Sequence, residues 1–199
     1  MRKAIIFATH NAHKIEEVAA ILSPLGVQVI GGDECNLPDV EETGKTFEEN
    51  ALIKALAGVK FLGRPVLGRP VLAEDAGLSI EGLEGAPGVY SARFAQMHGG
   101  YDEAFKYIAT ALKDKSKKAY YTSVMVLAFS ETEYYVFKGY MHGQMADAPS
   151  GTNGFGYDPM FIPDGFDVTL GHIDATVKNK ISHRSKAIQQ VYDFLATRE

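Results

Sequence analysis

A β-prone apolar stretch at residues 3–8 runs into apolar positions spaced three and four apart, Ile15, Val18, Ala19, Leu22 and Leu25, and then into a second β-prone stretch from Val27 to Ile30. Pro24 and Gly26 stop the helix between them. A second helix is predicted from Thr46, where Glu49 three residues on completes a capping box; Ala51, Leu52, Ala55, Leu56 and Val59 supply its apolar face and Gly63 ends it. Two later β-prone stretches, 118–129 and 133–145, are separated only by Ser130-Glu131-Thr132, which reads as a hairpin. Helices alternating with strands early and a hairpin in the middle predict an α/β fold: a mixed β-sheet flanked by helices.

Between these elements, Ala104, Tyr107, Ile108, Ala111 and Leu112 suggest a third helix, and Ala187, Ile188, Val191, Tyr192 and Leu195 a last one starting near Ser182. Residues 82–100, rich in glycine with Pro87 in the middle, read as loop. Gly63-Arg64-Pro65-Val66-Leu67 is repeated at once as Gly68-Arg69-Pro70-Val71-Leu72. Five residues is far below a solenoid period. Only one copy can hold the register that leads into Ala73-Glu74-Asp75, because an odd slip turns every strand side chain to the other face. The first copy is expected in the preceding loop. No linker separates two autonomous domains, so residues 1–199 read as one domain, with room for two lobes.

Composition narrows the class. The chain is 46% hydrophobic and 23% charged, and no apolar run approaches the ~20 residues of a membrane span. A short apolar stretch behind Arg2 and Lys3 gives way to polar Thr9-His10-Asn11, unlike an export signal. Cys35, the single cysteine, rules out an intramolecular disulfide and fits a reducing, cytoplasmic setting. A formal charge of −5 argues against nucleic acid as a partner, since such binding draws on clustered Lys and Arg.

Four polar clusters lie beside predicted element ends. Thr9-His10-Asn11-Ala12-His13-Lys14 begins the first helix, where free backbone N–H groups and a lysine suit phosphate; equally, Thr9 or Asn11 can serve only as a cap. Glu41-Glu42-Thr43-Gly44-Lys45-Thr46 imitates the end of a P-loop, but Asp39 stands where that motif needs its first glycine. Its carboxylates can hold a hard cation such as Mg²⁺ or form a solvated acidic turn. Glu74-Asp75-Ala76-Gly77 ends an apolar strand, on which adjacent carboxylates point to opposite faces. Asp75 can bind metal or act as general base on water, or simply begin a turn. Finally, Gly154-Phe155-Gly156-Tyr157-Asp158-Pro159 offers a ring with room beside it for a nucleobase, and Lys178 through Ser182-His183-Arg184 offers donors. A core phenylalanine and a basic helix start explain the same residues without a ligand.

Taken in order, Thr9-His10-Asn11 with Lys14, Glu42-Thr43-Gly44 with Phe47 and Asn50-Ala51, Asp75 with Gly77-Leu78, Gly85-Ala86-Pro87-Gly88 with Tyr90-Ser91-Ala92-Arg93, Phe155-Gly156-Tyr157-Asp158-Pro159 and Ser182-His183-Arg184 resemble the noncanonical purine nucleoside triphosphate pyrophosphatase family, also called inosine triphosphate pyrophosphatases or XTP/dITP diphosphatases. The match spans nearly the whole chain. The resemblance implies hydrolysis of ITP, dITP or XTP to the monophosphate and pyrophosphate, Mg²⁺ dependence, a homodimer, and two lobes around a central nucleotide cleft. By position, it implies Asp75 as catalytic base and metal-associated carboxylate and Glu42, or Glu41 if the turn is misaligned by one, as the other. Thr9, Asn11, Lys14 and Lys178 match phosphate-binding positions, with His10, Ala12, His13 and Ala76 lining the same segments. Phe155, Gly156, Tyr157, Asp158, His183 and Arg184 match the base pocket.

The chain departs from the family in three places: Ala76 stands where a hydroxyl-bearing residue is common, Ala95–Tyr101 follow the usual pattern poorly, and the five-residue duplication precedes the strand of Asp75. The same residues also suit a nucleotide-binding regulator that has lost turnover, or a pyrophosphatase of broader range. Hypoxanthine and xanthine present a C6 carbonyl where adenine has an amino group, so donors from His183 and Arg184 would favour them, and sites of this type discriminate by ~10⁴ or more. Arg184→Ala is therefore expected to narrow the ITP to ATP ratio of kcat/KM; an unchanged ratio in parallel assays removes Arg184 from base selection.

Overall fold

The computed structural model describes residues 4–63 and 69–198. Strand β1 (Ala4–Phe7) leads through helix α1 (Ala12–Leu22) to β2 (Gln28–Gly31), and α2 (Phe47–Leu62) precedes the long β3 (Val71–Ile80). Helices α3 (Ser91–Met97) and α4 (Tyr101–Ala111) then precede β4 (Lys118–Ala128) and β5 (Tyr134–Met145), followed by β6 (Phe161–Pro163), α5 (Ala175–Ile181) and α6 (His183–Ala196). The six strands form one sheet in the order β2-β1-β3-β4-β5-β6. β1 pairs in parallel with β2 and β3, and β5 antiparallel with β6, so the sheet is mixed, as the element order predicted.

The chain divides into two compact units, Met1–Asp75 with Ser123–Gly139 and Arg184–Glu199, and Ala76–Thr122 with Tyr140–His183. In the first, strand residues alternate between two cores. Ile5, Phe7, Leu72, Met125 and Leu127 pack against Val18 and Leu22 of α1 and Ala187, Ile188 and Val191 of α6. Val71, Ala73, Val124, Val126 and Ala128 face Ala51, Ala55 and Val59 of α2. Burial on both faces explains why β3 reads as a nearly continuous apolar run rather than an alternation. Helix α2 lies close to the sheet at Gly58, where a Cβ would come within 2.9 Å of the Val71 methyl. In the second unit, Leu78 and Ile80 of β3 join Phe105 and Ile108 of α4, Leu112 just after it, and Tyr121, Met141, Met145 and Phe161.

Caps set the helix starts. Asn11 accepts the Lys14 N–H at the start of α1, and Thr46 and Glu49 form the expected capping box on α2. The structure departs from the sequence reading at α3, inside the segment read as loop, and at α5 and β6. Glycines flank α3 on both sides, Gly88 before it and Gly99-Gly100 after it, and their loop signal outweighs seven helical residues. On α4, Phe105 is buried where Tyr107 was expected; Tyr107 is exposed and lies beside the His98 ring at 4.6 Å. Val71 and Leu72 of the second repeat copy enter β3 opposite Ile6 and Phe7. Residues 64–67 of the first copy, and the expectation placed on them, lie outside the described residues.

Leu72 is fully buried between β1 and α6. Leu72→Ala is expected to cost about 2–5 kcal/mol of unfolding free energy, measured from the midpoint of urea denaturation.

Candidate active site

Alternation along β3 sends Glu74 and Asp75 to different surroundings within the first unit. Glu74 follows Leu72 toward α1 and α6, where its carboxylate accepts from Arg184 Nε at 2.9 and 3.1 Å and from Ser123 Oγ at 2.7 Å, and pairs with Lys14 Nζ at 3.1 Å. Arg184 Nη1 also donates to Glu17 at 2.6 Å. Only 3% of Glu74 and of Arg184 is exposed. Burial opposes the charge on Arg184, and Glu74 and Glu17 more than offset it, holding the guanidinium protonated. For Lys14 burial prevails, aided by Arg184 and Lys54 and opposed by Glu74, so its ammonium loses its proton more readily than a surface lysine.

Asp75 faces α2. Its Oδ2 accepts from Asn50 Nδ2 at 3.0 Å, and its Oδ1 lies 3.5 Å from Lys54 Nζ, which also donates to Glu42 at 2.7 Å. Asn50 in turn accepts the Gly44 N–H at 2.8 Å. A side chain at position 44 would place its Cβ 2.6 Å from the Asn50 oxygen, so glycine there lets the Glu42-Thr43-Gly44 turn close onto α2. Glu42 is half-buried and Glu41 exposed, which makes Glu42 the carboxylate directed at this group. Burial raises the Asp75 carboxyl above the usual range, against Lys54 and Asn50 and with help from Glu42, which suits a group that must accept a proton.

A cavity of about 240 Å³ in the first unit is lined by Thr9, Asn11, Lys14, Glu42, Lys54 and Glu74; Asp75 and Asn50 stand behind Lys54 rather than in its wall. Thr9 Oγ1 accepts the Asn11 N–H at 3.2 Å, so capping and cavity lining fall on the same two residues. His10 lines the wall beside them, its Nδ1 2.5 Å from Asp33 and its Nε2 3.5 Å from Asp39. Ala12 and His13 lie exposed on α1. Among the described residues no group of three or more His, Cys, Asp and Glu forms a ready metal cage. Mg²⁺ needs less: it is held by one or two carboxylates and takes its remaining oxygens from water and phosphate. Glu42 and Asp75 fit that requirement, with the Lys54 ammonium as the cation lying between them.

The second unit carries the aromatic cluster. Asp158 is its hub: Oδ2 accepts the Phe155 N–H at 2.9 Å and Lys178 Nζ at 2.7 Å, both groups of the ion pair being buried. Lys178 also lies 4.6 Å above the Phe155 ring. Gly154 has φ 75°, and a Cβ there would reach 2.0 Å from the Asp158 oxygen, so only glycine admits this turn. Tyr157, expected in the base pocket, is a core residue whose hydroxyl donates to the Ser91 carbonyl at 2.7 Å. His183 stacks on Tyr121 at 4.7 Å with planes 7° apart. Ala76, next to Asp75 in β3, is half-buried. His183 and Arg184, neighbours in sequence and expected to act as a donor pair, part here: His183 belongs to this cluster, while Arg184 commits Nε and Nη1 to carboxylates of the first unit.

Sequence reasoning gave no role to Lys54 or Glu17. Asn50 and Lys54 stand one turn apart on α2, and that spacing next to Glu42-Thr43-Gly44 was the available signal. Glu17 falls three residues after Lys14 on α1, a spacing that carries no information about a partner at position 184. Cys35 is partly buried, and burial with Glu34 raises its thiol, which suits a packing residue rather than a nucleophile.

Residues 5–194 match the model of the Ham1 family. The chain is 43% identical over 192 residues to the dITP/XTP pyrophosphatase of Ruegeria pomeroyi, covering 94% of this chain and 92% of the relative. It is 44% identical over 191 residues to the dITP/XTP pyrophosphatase of Nautilia profundicola, covering 93% of each. The solved structure of the Staphylococcus aureus Ham1 protein aligns with a TM-score of 0.85 at 36% identity, covering 99% of this chain and 100% of that one.

Arg184→Ala removes the guanidinium that pairs two carboxylates, one of them deeply buried. A loss of about 3–5 kcal/mol in unfolding free energy is expected by urea denaturation. The ITP to ATP ratio of kcat/KM does not depend on the folded fraction and stays readable in the same variant.

Proposed function

This chain belongs to the Ham1 family, and from that premise we propose that it hydrolyses noncanonical purine nucleoside triphosphates, ITP, dITP and XTP, to the monophosphate and pyrophosphate, with Asp75 as the general base. The observation that carries the proposal is the Glu42, Lys54, Asp75 and Asn50 constellation next to a cavity that Lys14 enters from a helix start. No helix of the described residues is long and apolar enough to cross a membrane.

Phosphoanhydride hydrolysis asks for charge neutralisation and positioning more than for covalent chemistry by the protein. Lys14 and Lys54 supply positive charge to the phosphates. When bound by Glu42 and Asp75, Mg²⁺ adds charge neutralisation and orientation of the phosphate oxygens. Asn50 holds one oxygen of Asp75 and fixes the other for water. The Asp75 carboxylate accepts a proton from water as the water oxygen bonds to phosphorus; the phosphoanhydride P–O bond breaks, and pyrophosphate carries away the bonding pair. In the second unit, Phe155 offers its ring, and His183 and Asp158 polar groups, for the purine; Lys178, matched in the sequence to a phosphate position, pairs with Asp158 beside that ring and carries its charge to the same cluster. A homodimer and a cytoplasmic setting belong to the same reading; sedimentation velocity tests the first.

Asp75→Asn is expected to lower kcat at least about 10²-fold at saturating substrate and Mg²⁺, and activity within about tenfold of wild type removes Asp75 from the role of base. The companion experiment incubates the wild type with a panel of triphosphates and measures pyrophosphate and orthophosphate separately. Pyrophosphate from ITP and XTP supports the reading. Orthophosphate alone replaces it with a phosphatase, and tight binding without release replaces it with a regulator.

A further inference from the structure

The function above makes no use of Ala95–Tyr101. The structure gives this segment a defined end. Gly99 (φ 87°) and Gly100 (φ 125°) both take left-handed backbone, turning the chain so that α4 begins at Tyr101. The Tyr101 ring stands edge-on to Tyr157, with centroids 5.2 Å apart and planes at 85°, and 6.0 Å from Phe105. Because the Ser91 carbonyl pins the Tyr157 hydroxyl, Tyr101 rests on a fixed neighbour.

The Tyr101 hydroxyl reaches Gly156, where a Cβ would lie 3.6 Å from it. Gly156 sits in the turn between Phe155 and Asp158, which form the aromatic cluster of this unit. Burial and then the Asp158 charge raise the phenol above its ordinary ionisation range, so at neutral pH the O–H is intact and can donate. Among the described residues that hydroxyl has no hydrogen-bond partner, and Tyr101 keeps 39% of its surface exposed. A donor at the rim of the turn that holds Phe155 and Asp158, with no partner among the described residues, is available to a ligand.

We infer that Tyr101 is a specificity-determining contact of the base pocket, its hydroxyl donating to a carbonyl oxygen of the deaminated purine. The inference rests on the assignment of the Phe155–Asp158 turn to the base. Adenine has no carbonyl to receive this donor. Xanthine has two, at C2 and C6, and hypoxanthine one, at C6.

The test is steady-state kinetics of Tyr101→Phe with ITP and XTP, with Phe155→Ala alongside. The phenylalanine keeps the ring and its packing and removes only the hydroxyl. KM is expected to rise about three- to tenfold. A rise for XTP alone assigns the C2 carbonyl and an equal rise for both substrates assigns the C6 carbonyl; either result supports the contact. A KM within about twofold of wild type for both substrates overturns it, as does a lowered melting temperature without a change in KM, which makes Tyr101 a packing residue. If Phe155→Ala raises KM and Tyr101→Phe does not, only the Tyr101 contact fails. If neither moves KM, the base-pocket assignment fails with it.

Discussion

A single buried carboxylate organises the polar interior of the first unit. Glu74 lies in a strand covered on both faces, and its charge is tolerable there only because Lys14, Arg184 and Ser123 meet it. Those three partners come from α1, α6 and β4, so one charge ties the first and last helices to the middle of the sheet. Lys14 is thereby held at the start of α1 with its ammonium at the wall of the cavity. The same network takes in the start of α6: Arg184 pairs with carboxylates of one unit, and His183 before it stacks on Tyr121 in the other.

Asp75, one residue on, has the complementary arrangement. Burial raises its carboxyl against the pull of Lys54 and Asn50. Two adjacent acids are thus divided between two environments by the pleat of a strand. This division depends on both faces of β3 being covered by helices, because an exposed face would hydrate one acid and remove the difference in environment.

Much of this was legible in the sequence because it rests on local rules. The capping box at Thr46, the opposite faces of adjacent Glu74 and Asp75 and the strand-helix-strand opening each follow from spacing within a few residues. The hairpin did as well. What escaped needed partners far apart in the chain: Glu17 with Arg184, Tyr121 beneath His183, Ser91 with Tyr157. Tyr157 illustrates the reason. Its motif marks it as a site residue, but a buried phenol must bond its hydroxyl, and the carbonyl that receives it lies 66 positions earlier. Helix α3 escaped for a different reason, since glycine-rich flanks outweigh a short helix in any local reading.

The tandem repeat before β3 acquires a consequence from the charges that follow it. If the first copy were to take the place of the second, the sheet would receive Gly68-Arg69-Pro70 where Ala73-Glu74-Asp75 now stand. Arg69 would then occupy the place of Glu74, a third cation beside Lys14 and Arg184 in place of the carboxylate that pairs both, and Pro70 would bring an interior strand a residue without an N–H. The acid that pairs Lys14 and Arg184 therefore also acts as a register check: two identical stretches compete for one strand, and charge together with the missing proline N–H favours the second.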